Sequence, residues 1–87
     1  MRILKNASAG TMESSDIYVE IGPGTDGICM RLESVVEKQF GDSIKKVVRE
    51  VLKEYGVEHA NIRVVDRGAL ECVIRARVET AILRGKE

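Results

Sequence analysis

The spacing of apolar residues changes period three times along this chain, and the order of those periods restricts the folds open to it. Ile17, Val19 and Ile21 alternate with Tyr18 and Glu20, and Ile28, Met30 and Leu32 alternate with Cys29, Arg31 and Glu33. Period two marks a strand with one buried face. From Val36 to Tyr55 the apolar positions Val36, Phe40, Ile44, Val47, Val48, Val51, Leu52 and Tyr55 recur every three or four residues, with charged side chains between them. That spacing predicts an amphipathic helix. Period two returns in "ANIRVVD" at 60–66, blurred by Val65, and helical spacing returns from Ala69 to about Leu83. The order strand, strand, helix, strand, helix predicts an α+β domain: a three-stranded antiparallel sheet with two helices on one face, β-β-α-β-α.

The connections refine this expectation. "GPGTDG" at 22–27 supplies residues suited to tight turns and predicts a hairpin joining the first two strands. The third strand is expected beside the first and antiparallel to it. Gly41 costs about 1 kcal/mol relative to Ala in a helix interior, so a break or kink is expected there, with Asp42 or Ser43 capping the main helix. Gly56 is placed to stop that helix in a left-handed conformation, and Asp66, Arg67 and Gly68 form the next turn. Residues 1–14, rich in Ser, Ala, Gly and Thr, predict a mobile arm ahead of a single α+β domain at 15–87.

Eighty-seven residues, 44% of them hydrophobic, suffice for one small core. Tyr18, Phe40 and Tyr55 are the aromatic residues, so aliphatic side chains must fill the interior. Fourteen acidic and fourteen basic residues leave no general electrostatic pull toward nucleic acid or an anionic membrane. The arginines at 63, 67, 75, 77 and 84 are interleaved with Glu58, Glu71 and Glu79, and the exposed aromatics that stack bases are missing. Arg75 and Arg77, with the turn near Gly24, are expected to help dock a protein partner. No apolar run has signal-peptide or bilayer-spanning length, which places the chain in the cytoplasm. Cys29 and Cys72 lack a CxxC spacing and are expected as buried thiols. His59 reads as a solvated loop residue, and no catalytic motif or metal-ligand set is found.

Two hydroxyls remain. In "GTMESSD" at 10–16, Ser14 and Ser15 sit side by side between Glu13 and Asp16, in a segment of small residues. On residue chemistry alone they are either loop punctuation or a point of covalent attachment.

Three stretches carry a resemblance that bears on this choice: "AGTMESSDIYVEI" at 9–21, "SVVEKQFGDSIKKVV" at 34–48 and "VVDRGALECVIRARVE" at 64–79. In combination and order they closely resemble the acyl carrier protein, or gamma chain, of citrate lyase. The resemblance implies a non-catalytic subunit whose serine in the "GTxES" motif, here Ser14, is joined through a phosphodiester to 2'-(5''-phosphoribosyl)-3'-dephospho-CoA. It also implies that the terminal thiol of this group carries acetyl and citryl thioesters while citrate is cleaved to acetate and oxaloacetate. The implied partners are the alpha (acyl transferase) and beta (citryl lyase) subunits, a prosthetic-group transferase, and an acetate ligase acting on the thiol; neither nucleic acid nor membrane is among them. Ser15 departs from the motif by offering a second hydroxyl. Glu13 and Asp16 would repel the new phosphate by about 1 kcal/mol or less across screened water. They are therefore candidates for recognition by the modifying transferase or for positioning its metal ion. The rival readings are the carrier of malonate decarboxylase and, in another class, an unmodified regulatory or RNA-binding α+β module.

Overall fold

The strand with blurred alternation lies in the interior of the sheet. The computed structural model describes residues 1–35 and 37–86. In chain order the elements are β1 (Ala7–Gly10), β2 (Ile17–Pro23), β3 (Ile28–Ser34), α1 (Glu37–Glu54), β4 (Ala60–Asp66) and α2 (Glu71–Gly85). Four strands form one sheet in the order β1-β2-β4-β3. β1 pairs antiparallel with β2, β2 antiparallel with β4, and β3 parallel with β4.

The α+β class stands, as does the antiparallel placement of β4 beside β2, whereas three expectations are corrected. The sheet has four strands and is mixed, where three antiparallel strands were expected. The fourth strand comes from the segment expected to be a mobile arm: Ala7–Gly10 pairs with β2, and Ile3 and Ala9 are buried in the core. The amides of Leu4 and Lys5 also donate to the Gly85 carbonyl. The small side chains that made the segment look like a linker instead let it lie close beneath α2. The expected hairpin is absent as well. β2 and β3 are consecutive, yet β4 lies between them, so "GPGTDG" crosses the end of β4 rather than turning back on itself. Gly24 makes this crossing feasible, because a Cβ there would stand 2.7 Å from the Ala60 nitrogen. The crossing is fastened by the Gly27 amide donating to His59 Nδ1 at 2.8 Å and the Ala60 amide donating to the Gly27 carbonyl at 3.1 Å. His59 is exposed, as expected of a loop residue, but it accepts a bond that holds the loop.

Register aligns one apolar layer. Val19, Val64 and Leu32 lie side by side across β2, β4 and β3, followed by Ile21, Ile62 and Met30. Ile44, Val48, Val51 and Leu52 of α1 and Ile74, Val78, Ala81 and Ile82 of α2 close over this layer to form one core. Both helices therefore cover the same face, leaving Tyr18, Glu20, Arg31, Glu33 and Arg63 on the other. Full burial of β4 residues Ala60, Ile62 and Val64 accounts for its place between neighbours. α1 runs without a break through Gly41, which is buried. Packing of the apolar stripe outweighs the propensity cost of one glycine. Val36, placed by its spacing at the head of this helix, lies outside the described residues. The helix ends as expected at Gly56 (φ +66), with the Val57 amide donating to the Leu52 carbonyl and the Gly56 amide to that of Lys53.

Cys29 and Cys72 are both exposed, correcting the expectation of buried thiols. Cys29 faces away from the helices on an outer strand, and Cys72 lies in the first turn of α2 on its solvent side. Among the described residues no helix is long and apolar enough to cross a membrane.

Candidate functional site

Ser14 lies in the loop that joins β1 to β2. The chain leaves β1 at Gly10 with φ +91, where a Cβ would collide with the Ile17 carbonyl and crowd the Arg77 side chain at 3.3 Å. A glycine here allows the sharp exit and gives Arg77 room to reach under the loop. The loop then closes through Asp16. Thr11 Oγ1 donates to Asp16 Oδ2 at 2.6 Å, and the Ile17 amide donates to Oδ1 at 2.7 Å. Arg77 Nε and Nη2 donate to Oδ1 and Oδ2 at 3.2 and 3.1 Å. The Thr11 hydroxyl, the Ile17 amide and the Arg77 guanidinium together hold the Asp16 carboxyl down at about 2, against the opposing effect of burial.

Backbone bonds pin the base of the loop to the turn after β4. The Ser15 amide donates to the Arg67 carbonyl at 2.8 Å, and the Arg67 amide donates to the Asp16 carbonyl at 2.9 Å. The Asp16 amide donates to the Glu13 carbonyl, and the Glu13 amide to Thr11 Oγ1, each at 3.2 Å. Ser15 has φ +66, a left-handed conformation uncommon outside glycine. Ser14 is exposed at the turn, and no hydrogen bond holds its hydroxyl among the described residues. The arrangement is a braced loop that presents a free hydroxyl, and the nearest carboxylate in sequence with shifted acidity, Asp16, is committed to Thr11, Ile17 and Arg77. Among the described residues no group of three or more His, Cys, Asp or Glu side chains is arranged to hold a metal ion.

The two acids flanking the serines separate in role. Glu13 is exposed, whereas the Asp16 side chain is only 15% exposed and faces Arg77. Sequence reasoning placed Arg75 and Arg77 on a docking surface; both have partners within the chain. Arg77 holds Asp16, and Arg75 reaches Glu50, Glu54 and Glu71 at 2.9, 3.4 and 3.3 Å. Thr11 was not singled out from sequence, and Asp66 was read only as a turn residue. Asp66 is 1% exposed and accepts from Ser34 Oγ at 2.9 Å and from the Ala69 amide at 3.0 Å, tying the ends of β3 and β4 to the start of α2. An Asp three residues before the head of a helical run, in "DRGA", was the available signal for such a turn.

The ends of β3 and β4 and the starts of α1 and α2 meet at the end of the molecule that carries this loop. Met12, Val35, Phe40 and Leu70 lie there with exposures of 46, 65, 53 and 72%, four of the seven large exposed apolar side chains among the described residues.

The fold and this loop define an acyl-carrier-type domain: the family model for ACP, malonate decarboxylase delta subunit (MdcD), matches residues 4–85. The chain is 54% identical to citrate lyase acyl carrier protein 2 of Salmonella typhimurium, covering 100% of this chain and 91% of that protein. It is 53% identical to the citrate lyase acyl carrier protein of Escherichia fergusonii, with the same coverage, and 52% identical to that of Lactobacillus acidophilus, covering 100% of this chain and 90% of that one. The chain belongs to the citrate lyase acyl carrier protein family. Its fold matches a chain in the crystal structure of a Pseudomonas malonate decarboxylase hetero-tetramer in complex with malonate, with TM-score 0.80, 21% identity, and 97% and 87% of the two chains covered.

Proposed function

We propose that this chain is the acyl carrier subunit of citrate lyase, working in the cytoplasm, with Ser14 as the point where 2'-(5''-phosphoribosyl)-3'-dephospho-CoA is joined through a phosphodiester. The observation that carries the reading is the free, exposed Ser14 hydroxyl at the tip of a braced loop, in a chain about half identical to named citrate lyase carriers over its full length. A bulky group fits there because it displaces no buried side chain and breaks no hydrogen bond. When attached, the group supplies a terminal thiol on which acetyl and citryl units are carried as thioesters during cleavage of citrate to acetate and oxaloacetate.

The residues of the chain serve that chemistry by position. Asp16, Thr11 and Arg77 hold the loop so that the attachment point faces outward, and Met12, Val35, Phe40 and Leu70 expose apolar surface at the same end of the domain. That end of the domain is the one each transfer on the alpha and beta subunits would bring against a partner. Tethering replaces diffusion with an effective concentration on the order of millimolar. Glu13 is the acid left accessible for the prosthetic-group transferase or its metal ion, and Asp16 contributes through loop shape. An acetate ligase acts on the distal thiol and requires no side chain of this domain.

Intact-mass measurement of protein from its citrate-fermenting host tests the reading. A phosphate-containing adduct is expected on the wild type and none on Ser14→Ala; an unmodified wild-type chain under those conditions overturns it. Normal modification of Glu13→Gln would remove the recognition role of Glu13. A second reading, the carrier of malonate decarboxylase, is favoured by the family model and by the fold match. Exchange of acetyl on the thiol for malonyl, and not for citryl, when each acid is offered to the complex would select it.

A further inference from the structure

One long side of the domain is left unfinished. β3 is an outer strand of the sheet. Ile28, Met30 and Leu32 point toward the helix layer, yet they are only half-buried, whereas Ile62 and Val64 beside them in β4 are 3 and 0% exposed. The helix layer therefore stops short of this edge. The groove beside it runs between Ile28 of β3 and Arg49 and Lys53 of α1, and Glu58 closes one end. Lys45, Arg49 and Lys53 are spaced by four and form one row on the flank of α1. Among the described residues none of these three cations takes part in a salt bridge. On the opposite flank, Glu50 and Glu54 are both paired with Arg75. α1 thus pairs Glu50 and Glu54 within the chain and leaves its row of three cations, which begins one turn after the exposed Asp42, open beside a free strand edge. Arg31, on the other face of β3, is also exposed.

We propose that β3 and the Lys45-Arg49-Lys53 row form a docking edge for an extended, acidic and aliphatic strand of a citrate lyase catalytic subunit; this rests on the carrier reading above. Such a strand extends the sheet by one, placing aliphatic side chains on Ile28, Met30 and Leu32 and carboxylates beside the basic row. A second copy of this chain fits poorly. Two-fold pairing of β3 with β3 would bring two basic rows together across the seam. The half-buried aliphatic row also favours polypeptide over nucleic acid. The edge runs to Ser34 and Val35, at the end that carries Ser14, so a strand bound along it fixes the direction in which the attachment loop faces.

The test uses the full chain with purified alpha and beta subunits. Hydrogen exchange followed by mass spectrometry is expected to show new protection over residues 28–34 on assembly. The double variant Arg49→Glu/Lys53→Glu, checked for unchanged thermal unfolding, is expected to bind at least tenfold more weakly, with a shallower dependence on salt. Assembly without protection of β3, or with undiminished affinity in the double variant, overturns the docking edge while leaving the carrier reading intact. Protection seen in the free chain at high concentration, without subunits, points to self-pairing and also overturns it. Salt-sensitive retention of a single-stranded DNA oligonucleotide by the basic row, without any effect of the variant on assembly, does the same. Failure of the wild type to enter any complex removes the carrier reading itself.

Discussion

Arg77, in the middle of α2, holds both carboxylate oxygens of Asp16, sixty-one residues earlier in the chain, at 3.2 and 3.1 Å. This contact joins the C-terminal helix to the loop that presents Ser14. Thr11 and Ile17 complete the set of donors, so one carboxylate determines the shape of a six-residue connection.

The acid range should reveal that contact. Asp16 titrates at about 2 in the fold against an ordinary value of 3.8, so its contribution to stability is complete above about pH 5 and fades as pH falls through 3.8 toward 2. Asp16→Asn is expected to lower stability at neutral pH by about 1–2 kcal/mol and to flatten the wild-type decline between pH 4 and pH 2, as read by urea unfolding. Arg77→Gln should slow prosthetic-group transfer to Ser14 without unfolding the domain. Equal transfer rates in wild type and variant would show that loop shape is irrelevant to modification.

Ser15 bears a backbone conformation that a glycine would adopt more easily, with φ +66. Ser15→Gly is therefore expected to be neutral or stabilising by up to about 1 kcal/mol, and Ser15→Val clearly destabilising. Neither change should reduce the yield of adduct on Ser14. Loss of the adduct in Ser15→Gly but not in Ser14→Ala would move the attachment point to Ser15.

The crossing over β4 depends on Gly24. A methyl group there would meet the Ala60 backbone at 2.7–2.9 Å, and backbone does not yield as a flexible side chain does. Gly24→Ala should cost about 1–3 kcal/mol, measured as a lower urea midpoint with unchanged slope. Wild-type stability in this variant would be inconsistent with the observed path.

The thiols give a direct check on exposure. Cys29 and Cys72 both face solvent, so the native, unmodified chain is expected to react with two equivalents of a thiol reagent without denaturant. Reaction only after unfolding would restore the buried placement that their residue type suggested. Cys29→Ser/Cys72→Ser should remain a substrate for the transferase, because the working thiol is carried by the prosthetic group.

Much of the fold was legible because local periodicity reports which face of an element is buried. Both helices, the strands β2, β3 and β4, and the stop at Gly56 followed from spacing and turn chemistry. β1 escaped notice because four small residues, Ala7 to Gly10, carry almost no periodic signal; their pairing with β2 supplies the structure. The hairpin expectation failed for a related reason. A loop rich in glycine is compatible with a turn or a crossing, and the choice was made by the greater burial that β4 gains between β2 and β3. In the site, the motif singled out Ser14 and suggested an accessible Asp16, while the arginines of the last helix, Arg75 and Arg77, were expected to dock a partner. The partner of Arg77 lies 61 residues away, and Glu50 and Glu54 reach Arg75 from another helix, so no local pattern could reveal these; only the Glu71–Arg75 pair, four residues apart, was readable from spacing.

By itself the sequence determined the types of every element but β1, the α+β class, the family, and the identity of the hydroxyl proposed for attachment, since each is written in short-range spacing or in a contiguous motif. Tertiary structure alone decided the strand order, the enlistment of the N-terminal segment as an edge strand, the exposure of the cysteines and the bracing of the Ser14 loop. These depend on which distant surfaces bury one another and which distant charges meet, and local periodicity does not encode either.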